Sequence, residues 1–327
     1  MFRALMECLA DGEFHSGEEL GSRLGVSRAA VWKKIQTLTL PGLSIESVKG
    51  SGYRIVGGLS LLCADAIKED LSPDARSVLG GLLCFDQIPS TNQYLLDRDG
   101  LCGDVCLSES QSAGRGRRGR NWHSPFGKNL YLSVAWQFNQ GVAVLEGLSL
   151  AIGVLVVEAL QSLGVDGLCL KWPNDILHKQ GNVYKKLGGV LIEVGGDLNG
   201  DCKVVIGLGL NVSMSDVLIE QDVRVVDQPW CDLKQLGFDG NRNRLSSAIL
   251  SAFLPALAAY AEEGFAAYRT RWGSFSAFAG RKVLLSSSAS VVHGEFLGVD
   301  SSGALLLSTE SGEQTFSGGE LSLRVEP

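Results

Sequence analysis

Histidine is scarce in this chain of 327 residues, with four in all, and none stands at a zinc-ligand spacing from a cysteine. The eight cysteines form no CxxC pair, and Cys102 and Cys106 are the only two close together. That excludes a zinc ribbon and a thioredoxin-type motif, and predicts reduced, inert thiols. No GxxxxGK[ST] run is present, so a Walker phosphate loop is excluded. Signal-peptide character is missing at the start, where Arg3 and Glu7 interrupt the first ten residues. The most apolar stretch, 147–163, contains Glu158 and follows Glu146, which makes it short for a bilayer span. These absences predict a cytoplasmic protein with no membrane segment. What remains is ordinary globular material, 45% hydrophobic and 20% charged, with length for two or three domains.

A net charge of -7 excludes general nucleic-acid binding by the whole chain. Charge is uneven, however. Residues 21–54 carry Arg23, Arg28, Lys33, Lys34, Lys49 and Arg54 against Glu46 alone, a local +5. Leu5, Cys8 and Leu9 have helical spacing, and Ser16 with Glu19 forms a capping box for a second short helix ending near Gly25. Ser27 caps a third, with Val31, Ile35 and Leu38 inward. This is a helix-turn-helix. Ser27, Arg28, Trp32 and Lys33 face outward on the half that reads base edges in such a motif. A hairpin over 45–55, with Lys49 beside its Gly50-Ser51-Gly52 turn, completes the pattern of a winged helix. Protein contact is the alternative use of the motif. The local charge favours DNA, and specific binding by so small a unit requires a dimer on paired half-sites. Trp32 is bulky for a major groove, so the operator sequence does not follow from the chain.

The run Gln111-Ser112-Ala113-Gly114-Arg115-Gly116-Arg117-Arg118-Gly119-Arg120-Asn121-Trp122 alternates glycine with arginine. Glycine permits close backbone approach, and arginine supplies permanent charged forks for phosphate and carboxylate oxygens. Such a loop suits closure over an anion, and a solvated basic patch is its bland rival. From Ala64 to Trp272 strand-like and helix-like segments alternate, predicting a mixed sheet with packed helices. Buried strands are expected at 82–85 and 130–136, and an apolar helix over 147–163. The segment 168–176 reads as a strand that ends in a polar turn, with Pro173 biasing Trp172 toward extended geometry. Two glycine-bearing strands then follow over 186–193 and 203–212. Short strands after residue 280, with an Asp300-Ser301-Ser302-Gly303 turn, predict a small antiparallel β module.

Taken in order, five blocks carry a resemblance. They are Ser90-Thr91-Asn92, the Gly114–Arg120 loop with Trp122, Lys171-Trp172-Pro173-Asn174-Asp175, Lys186-Leu187-Gly188-Gly189 and Gly207-Leu208-Gly209-Leu210-Asn211. With the winged helix, the chain resembles bacterial bifunctional biotin protein ligases that also repress the biotin operon. The resemblance implies an α+β, multidomain fold. Its parts are a winged helix-turn-helix at 1–62, a mixed-sheet catalytic domain of the biotin/lipoate ligase type at 63–275, and an SH3-like β-barrel at 276–327. It further implies biotin, ATP and Mg²⁺ as ligands, with biotinyl-5′-AMP as intermediate and co-repressor. The implied partners are the biotin carboxyl carrier protein of acetyl-CoA carboxylase, biotin operator DNA, and a second copy of the chain when the adenylate is loaded.

Residue by residue, the resemblance implies that Lys186, Arg115 and Arg117 are catalytic. Ser90, Thr91, Asn92, Gln111, Gly114, Gly116, Trp122, Gly188 and Gly189 join them around biotin. Arg117, Arg120, Trp122, Asn174, Asp175, Lys186, Asn211 and Arg324 serve the nucleotide, with Mg²⁺ accompanying ATP and no protein metal ligand assigned. Bland alternatives stand beside these. Lys185 is the neighbouring candidate cation, Ser90-Thr91-Asn92 suits a helix cap, Asp175 suits a turn-orienting role, and Trp122 suits the core. Arg118 is expected to point away. The stretch between Val212 and Gln228 matches no family signature. A lipoate–protein ligase shares the chemistry, and a biotin-sensing transcription factor without turnover shares the architecture. The intact Lys186 and arginine set, with the N-terminal module, favour the biotin ligase over both.

Overall fold

The computed structural model describes residues 1–38, 40–98, 102–196, 202–216, 228–287, 290–318 and 321–325. Most of the stretch without a family signature, 217–227, therefore lies outside the described residues, as do Gly319 and Glu320 of the C-terminal block.

Three short helices open the chain: α1 (Phe2–Leu9), α2 (Gly17–Leu24) and α3 (Arg28–Gln36). Serines start the second and third, since Ser16 Oγ accepts the Glu19 N–H at 3.1 Å and Ser27 Oγ the Ala30 N–H at 3.2 Å. Gly25, left-handed at φ 66°, ends α2 and makes the tight turn into α3. The hairpin β1 (Ile45–Val48) and β2 (Gly52–Ile55) pairs Ile45 with Ile55. Leu5, Met6, Leu9, Leu20, Val31, Ile35 and Ile55 form the core of this unit. His15 clips α2 to the wing, exchanging backbone hydrogen bonds with Tyr53 while its ring lies between Asp11 and Glu19.

Next come α4 (Ala64–Glu69), α5 (Pro73–Val78), β3 (Leu82–Phe85), α6 (Thr91–Leu96), β4 (Val105–Ser108) and β5 (Asn129–Phe138). The apolar helix α7 (Leu148–Ser162) follows, then β6 (Leu168–Lys171), β7 (Asp175–Gln180), β8 (Val183–Gly196) and β9 (Cys202–Asn211). The sheet runs β3-β4-β5-β9-β8-β7-β6, antiparallel except for the β3–β4 pair. One expectation needs correction. β3 is an edge strand with Leu83 40% exposed, where a buried strand was predicted, because it has a neighbour on one side only.

Val142–Ser162 and the later helix α8 (Arg242–Glu263) are long and apolar enough to cross a membrane by length and composition. That corrects the expectation of too short a stretch. Both serve here as core helices, with eleven of the fifteen α7 residues buried. After α9 (Arg269–Phe275), the strands β10 (Lys282–Ser286), β11 (Val291–Val299), β12 (Leu305–Thr309), β13 (Gly312–Phe316) and β14 (Ser322–Val325) form a five-stranded antiparallel sheet ordered β13-β12-β11-β10-β14. Val283, Leu285, Phe296 and Leu323 of this sheet belong to the same apolar core as α7 and β5–β9.

The N-terminal unit is plugged rather than merely tethered. Phe126, just beyond the arginine loop, is fully buried in the winged-helix core with its ring centroid 5.7 Å from that of Phe2. Its N–H donates to Pro41 O at 2.7 Å. Beside this plug, Glu109 is completely buried and accepts from Leu62 N–H, from Arg3 at 3.3 Å and from Arg242 of α8. All eight cysteines are free, and burial pushes the Cys84, Cys106 and Cys231 thiols up to about 12, consistent with inert thiols.

Candidate active site

Antiparallel strands alternate their side chains between two faces, so the small residues of β8 and β9 leave one face of the sheet open. A cavity of about 1400 Å³ lies there, walled by the arginine loop, the β6–β7 turn, the start of α6 and the Leu321–Val325 segment. Gly207 and Gly209 make room for neighbours at its base. A Cβ at Gly207 would stand 2.3 Å from Asn92 Oδ1, and one at Gly209 would stand 2.6 Å from the Trp122 ring. Gly114 is equally constrained, since a Cβ there would reach Ser124 Oγ and Trp122 O at 2.7 Å. Gly189 and Gly116 also line the cavity. Gly188 departs from its assignment to biotin: a Cβ there would meet Leu210 Cδ2 at 2.4 Å, and it is absent from the described cavity lining. Strand alternation separates it from Gly189.

One end of the cavity is a polar cluster of neutral groups. Ser90 caps α6, its Oγ accepting the Gln93 N–H at 3.3 Å, and this sets Thr91 and Asn92 on the first helical turn, buried. Ser90-Thr91-Asn92 is thus a cap and a cavity wall at once. Gln111 Oε1 accepts from Thr91 N–H at 2.9 Å and from Thr91 Oγ1 at 3.2 Å. Ser133 Oγ lies 2.7 Å from Thr91 Oγ1 and 2.6 Å from Asn92 Oδ1. Asn92 Nδ2 donates to Glu193 Oε2 at 2.8 Å. Sequence reasoning missed Ser133 and Glu193. A lone serine inside the apolar strand Asn129–Phe138 was the available signal, since a buried hydroxyl needs a partner.

The other end is strongly cationic. The four loop arginines, Lys171, Lys186 and Arg324 line it, with Asp175 the one carboxylate among the described lining residues. Lys186 Nζ lies 2.7 Å from Asp175 Oδ1 and 5.5 Å from the centre of the Trp122 ring. Lys171 Nζ stands 3.6 Å from Asp175 Oδ2. Burial pushes the Asp175 carboxyl up, but the two lysines together outweigh it and hold the group below the usual carboxylate range. Both Asp175 oxygens thus face lysines within the cavity lining. Its arrangement suits a counter-ion that fixes Lys186. Burial also lowers Lys171, with Asp175 opposing and Lys186 and Arg324 adding to the fall.

Arg117 donates to Asn174 Oδ1 at 3.0 Å, and Asn174 Nδ2 donates to Val190 O at 2.9 Å. Asn174 therefore anchors the loop to the β6–β7 turn. Asn211 Nδ2 donates to Cys231 O at 3.0 Å and to Lys186 O at 3.4 Å, bracing the backbone of the lysine from behind. Arg118 has φ 59°, the one non-glycine in the left-handed region among the described residues, and its side chain is exposed. Arg120 is also exposed, at the cavity rim. Trp230, next to Lys186 through a strand bridge, joins the lining without having been anticipated. Buried Trp122 Nε1 has no acceptor among the described residues, a donor suited to a bound polar molecule. No group of three or more histidine, cysteine, aspartate or glutamate side chains is placed to hold a metal among the described residues.

On the N-terminal unit, Ser27, Arg28, Trp32 and Lys33 are exposed along one face of α3, and Lys49 is exposed at the wing turn. Trp32 is 56% exposed, and the Arg28 guanidinium stands 3.7 Å from Glu18.

Comparison with known proteins matches the same three parts. Residues 3–54 match the HTH domain family, 84–211 the biotin/lipoate A/B protein ligase family, and 279–324 the biotin protein ligase C terminal domain. The chain is similar to the bifunctional ligase/repressor BirA of Salmonella typhimurium, 43% identical over 98% of this chain and 96% of that one. The Escherichia coli protein of the same name is 42% identical over the same shares. Among solved structures, the biotin protein ligase from Aquifex aeolicus in complex with biotin and ATP superposes with a TM-score of 0.64 at 28% identity, covering 75% of this chain and 99% of that one. With a helix-turn-helix, a cationic loop and glycine-bearing strands in this order, the chain belongs to the family of bifunctional biotin ligase/repressors.

Proposed function

We propose that the cavity is where this chain performs the reaction of its family: activation of biotin by ATP to biotinyl-5′-AMP, then transfer of the biotinyl group to one lysine of the biotin carboxyl carrier protein. The observation that carries the reading is one cavity with a neutral hydrogen-bonding end and a cationic end that holds Lys186. Thr91, Asn92 and Gln111, with Ser90 placing them, receive the ureido ring. Paired donors and acceptors there reject analogues that lack them better than an apolar slot does. Lys186 stands where the biotin carboxylate meets the α-phosphate. The carboxylate oxygen attacks phosphorus, pyrophosphate leaves, and the acceptor lysine then attacks the acyl carbon to expel AMP. Bringing two anions together is a task of positioning and charge neutralisation, and Lys186, Arg117, Arg120 and Arg324 supply the charge. Mg²⁺ bound to ATP would neutralise the departing pyrophosphate.

Domain limits of 1–62, 63–275 and 276–327 suit the element order, with a carrier protein and operator in the cytoplasm as partners. Incubation with biotin, Mg-ATP and a carrier domain tests the transfer. Mass spectrometry should find biotin on a single acceptor lysine, and an unmodified acceptor with adenylate formed would contradict the ligase reading.

The exposed face of α3 and the wing serve operator DNA, bound by an adenylate-loaded homodimer because one winged helix spans one half-site. Arg28→Ala and Lys49→Ala should each weaken binding uniformly across sequences and reduce the salt slope by about 1. Trp32→Ala should instead relax sequence preference, by about 1–3 kcal/mol at one base pair. Anisotropy titrations of operator and scrambled duplexes at two salt concentrations separate the two patterns. Equal losses on both duplexes for Trp32→Ala would remove it from base readout.

A further inference from the structure

We propose that Glu193, a residue with no place in the sequence motifs, is the positioning residue that fastens the arginine loop across the mouth of the cavity. The inference rests on the ligase reading and deepens it. Glu193 lies on β8, and its carboxylate meets the Arg115 guanidinium at 3.0 Å through either oxygen. Arg115 is held from a second side, donating to Gln93 Oε1 on α6 at 2.7 Å. Its charge is therefore directed to protein partners. The side chain bridges α6 and β8, while Arg117, two residues on, is tied to Asn174.

Glu193 is itself held. Asn92 Nδ2 donates to it at 2.8 Å, Asn92 Oδ1 accepts from Ser133 at 2.6 Å, and Gly207, lacking a Cβ, leaves the space that Asn92 occupies. A continuous chain of contacts thus runs from the ureido-binding end, through Asn92 and Glu193, to the guanidinium that begins the loop. Filling the neutral end of the cavity fixes Asn92, which fixes Glu193, which holds Arg115 and the strap it carries. The pair is partly exposed, 37% for the Arg115 side chain and 26% for that of Glu193, so it suits a latch that opens. Its predicted work is retention of the reactive adenylate until an acceptor arrives, because loss of the latch frees the loop and admits water.

The test compares wild type, Glu193→Gln, Glu193→Asp, Arg115→Gln and the double variant Arg115→Gln/Glu193→Gln. Biotin and Mg-ATP are supplied without acceptor, and escape of biotinyl-5′-AMP from the protein is timed. Glu193→Gln should speed escape about five-fold, the size expected for one partly exposed ion pair. It should raise KM for biotin more than it lowers kcat for pyrophosphate release. Trypsin should cut faster within 115–120 in Glu193→Gln than in wild type. Glu193→Asp should restore part of the retention, and the double variant should match the single variants. Unchanged escape and cleavage in Glu193→Gln, or effects that add in the double variant, would overturn the latch. If wild type forms no adenylate, the ligase reading itself fails, a result distinct from failure of the latch. A thermal melt separates local loosening from general unfolding, since the latch predicts fast escape at an unchanged Tm.

Discussion

Replacing Lys186 with Gln lowers biotin-dependent pyrophosphate release by about 10²–10³, the loss typical of one pre-placed electrostatic donor. The effect belongs to the turnover step more than to substrate capture, because the charge is most needed when carboxylate and phosphate oxygens share a bond. Lys186 is pre-placed by Asp175 at 2.7 Å, by the Trp122 ring beneath it, and by Asn211 bracing its backbone carbonyl. Lys185→Gln leaves the rate near wild type, since that neighbour does not line the cavity. Initial rates of pyrophosphate release at saturating Mg-ATP and biotin check both. Equal losses in the two variants would show a diffuse charge effect instead of a placed one.

The second large effect is structural and lies about the junction of the N-terminal unit with the central sheet. Arg242→Met costs about 3–5 kcal/mol of stability, because it leaves Glu109 buried with its main partner gone. Arg242 is 1% exposed and Glu109 fully buried. The guanidinium also donates to Asn129 O at 3.0 Å and to Ser60 O, so it ties α8 to β5 and to the segment leading out of the wing. The remaining charged partner, Arg3, is the weaker substitute at 3.3 Å. Glu109→Gln combined with Arg242→Met recovers part of the loss, since no buried charge is then stranded. Urea midpoints of the wild type and the two variants decide the point. A single variant as stable as the wild type would mean that water reaches Glu109.

Local chemistry carried much of this fold in advance. Serine caps at positions 16 and 27, the Gly25 stop and the glycine-rich hairpin turn are contacts between near neighbours in sequence, so they were legible. So was the turn at Trp172-Pro173-Asn174-Asp175, and the clustering of the arginine loop with Lys186 in one cavity followed from the motif order. What escaped is long-range. Asn92 and Glu193 are joined across 101 positions, and Arg242 and Glu109 across 133. Nothing in the polar alternation of β8 sets Glu193 apart. Phe126 reads as an ordinary apolar residue after a proline, although it fills the core of a unit that begins 125 residues earlier. Asp175 and Asn211 were placed at the site by motif, but their roles follow from partners that strand pairing alone brings into reach, Lys186 across β7–β8 and Cys231 beyond β9.

The most direct test of the central claim is pyrophosphate release from Mg-ATP by the full-length protein with biotin, with lipoate, or with neither, in the presence of a carrier domain that permits turnover. The paired donors and acceptors of Thr91, Asn92 and Gln111 predict rapid release with biotin, rising with carrier concentration, and only background with lipoate or with no acid. Release with lipoate alone would contradict the biotin reading, and no release with either acid would leave a cavity that binds but does not ligate.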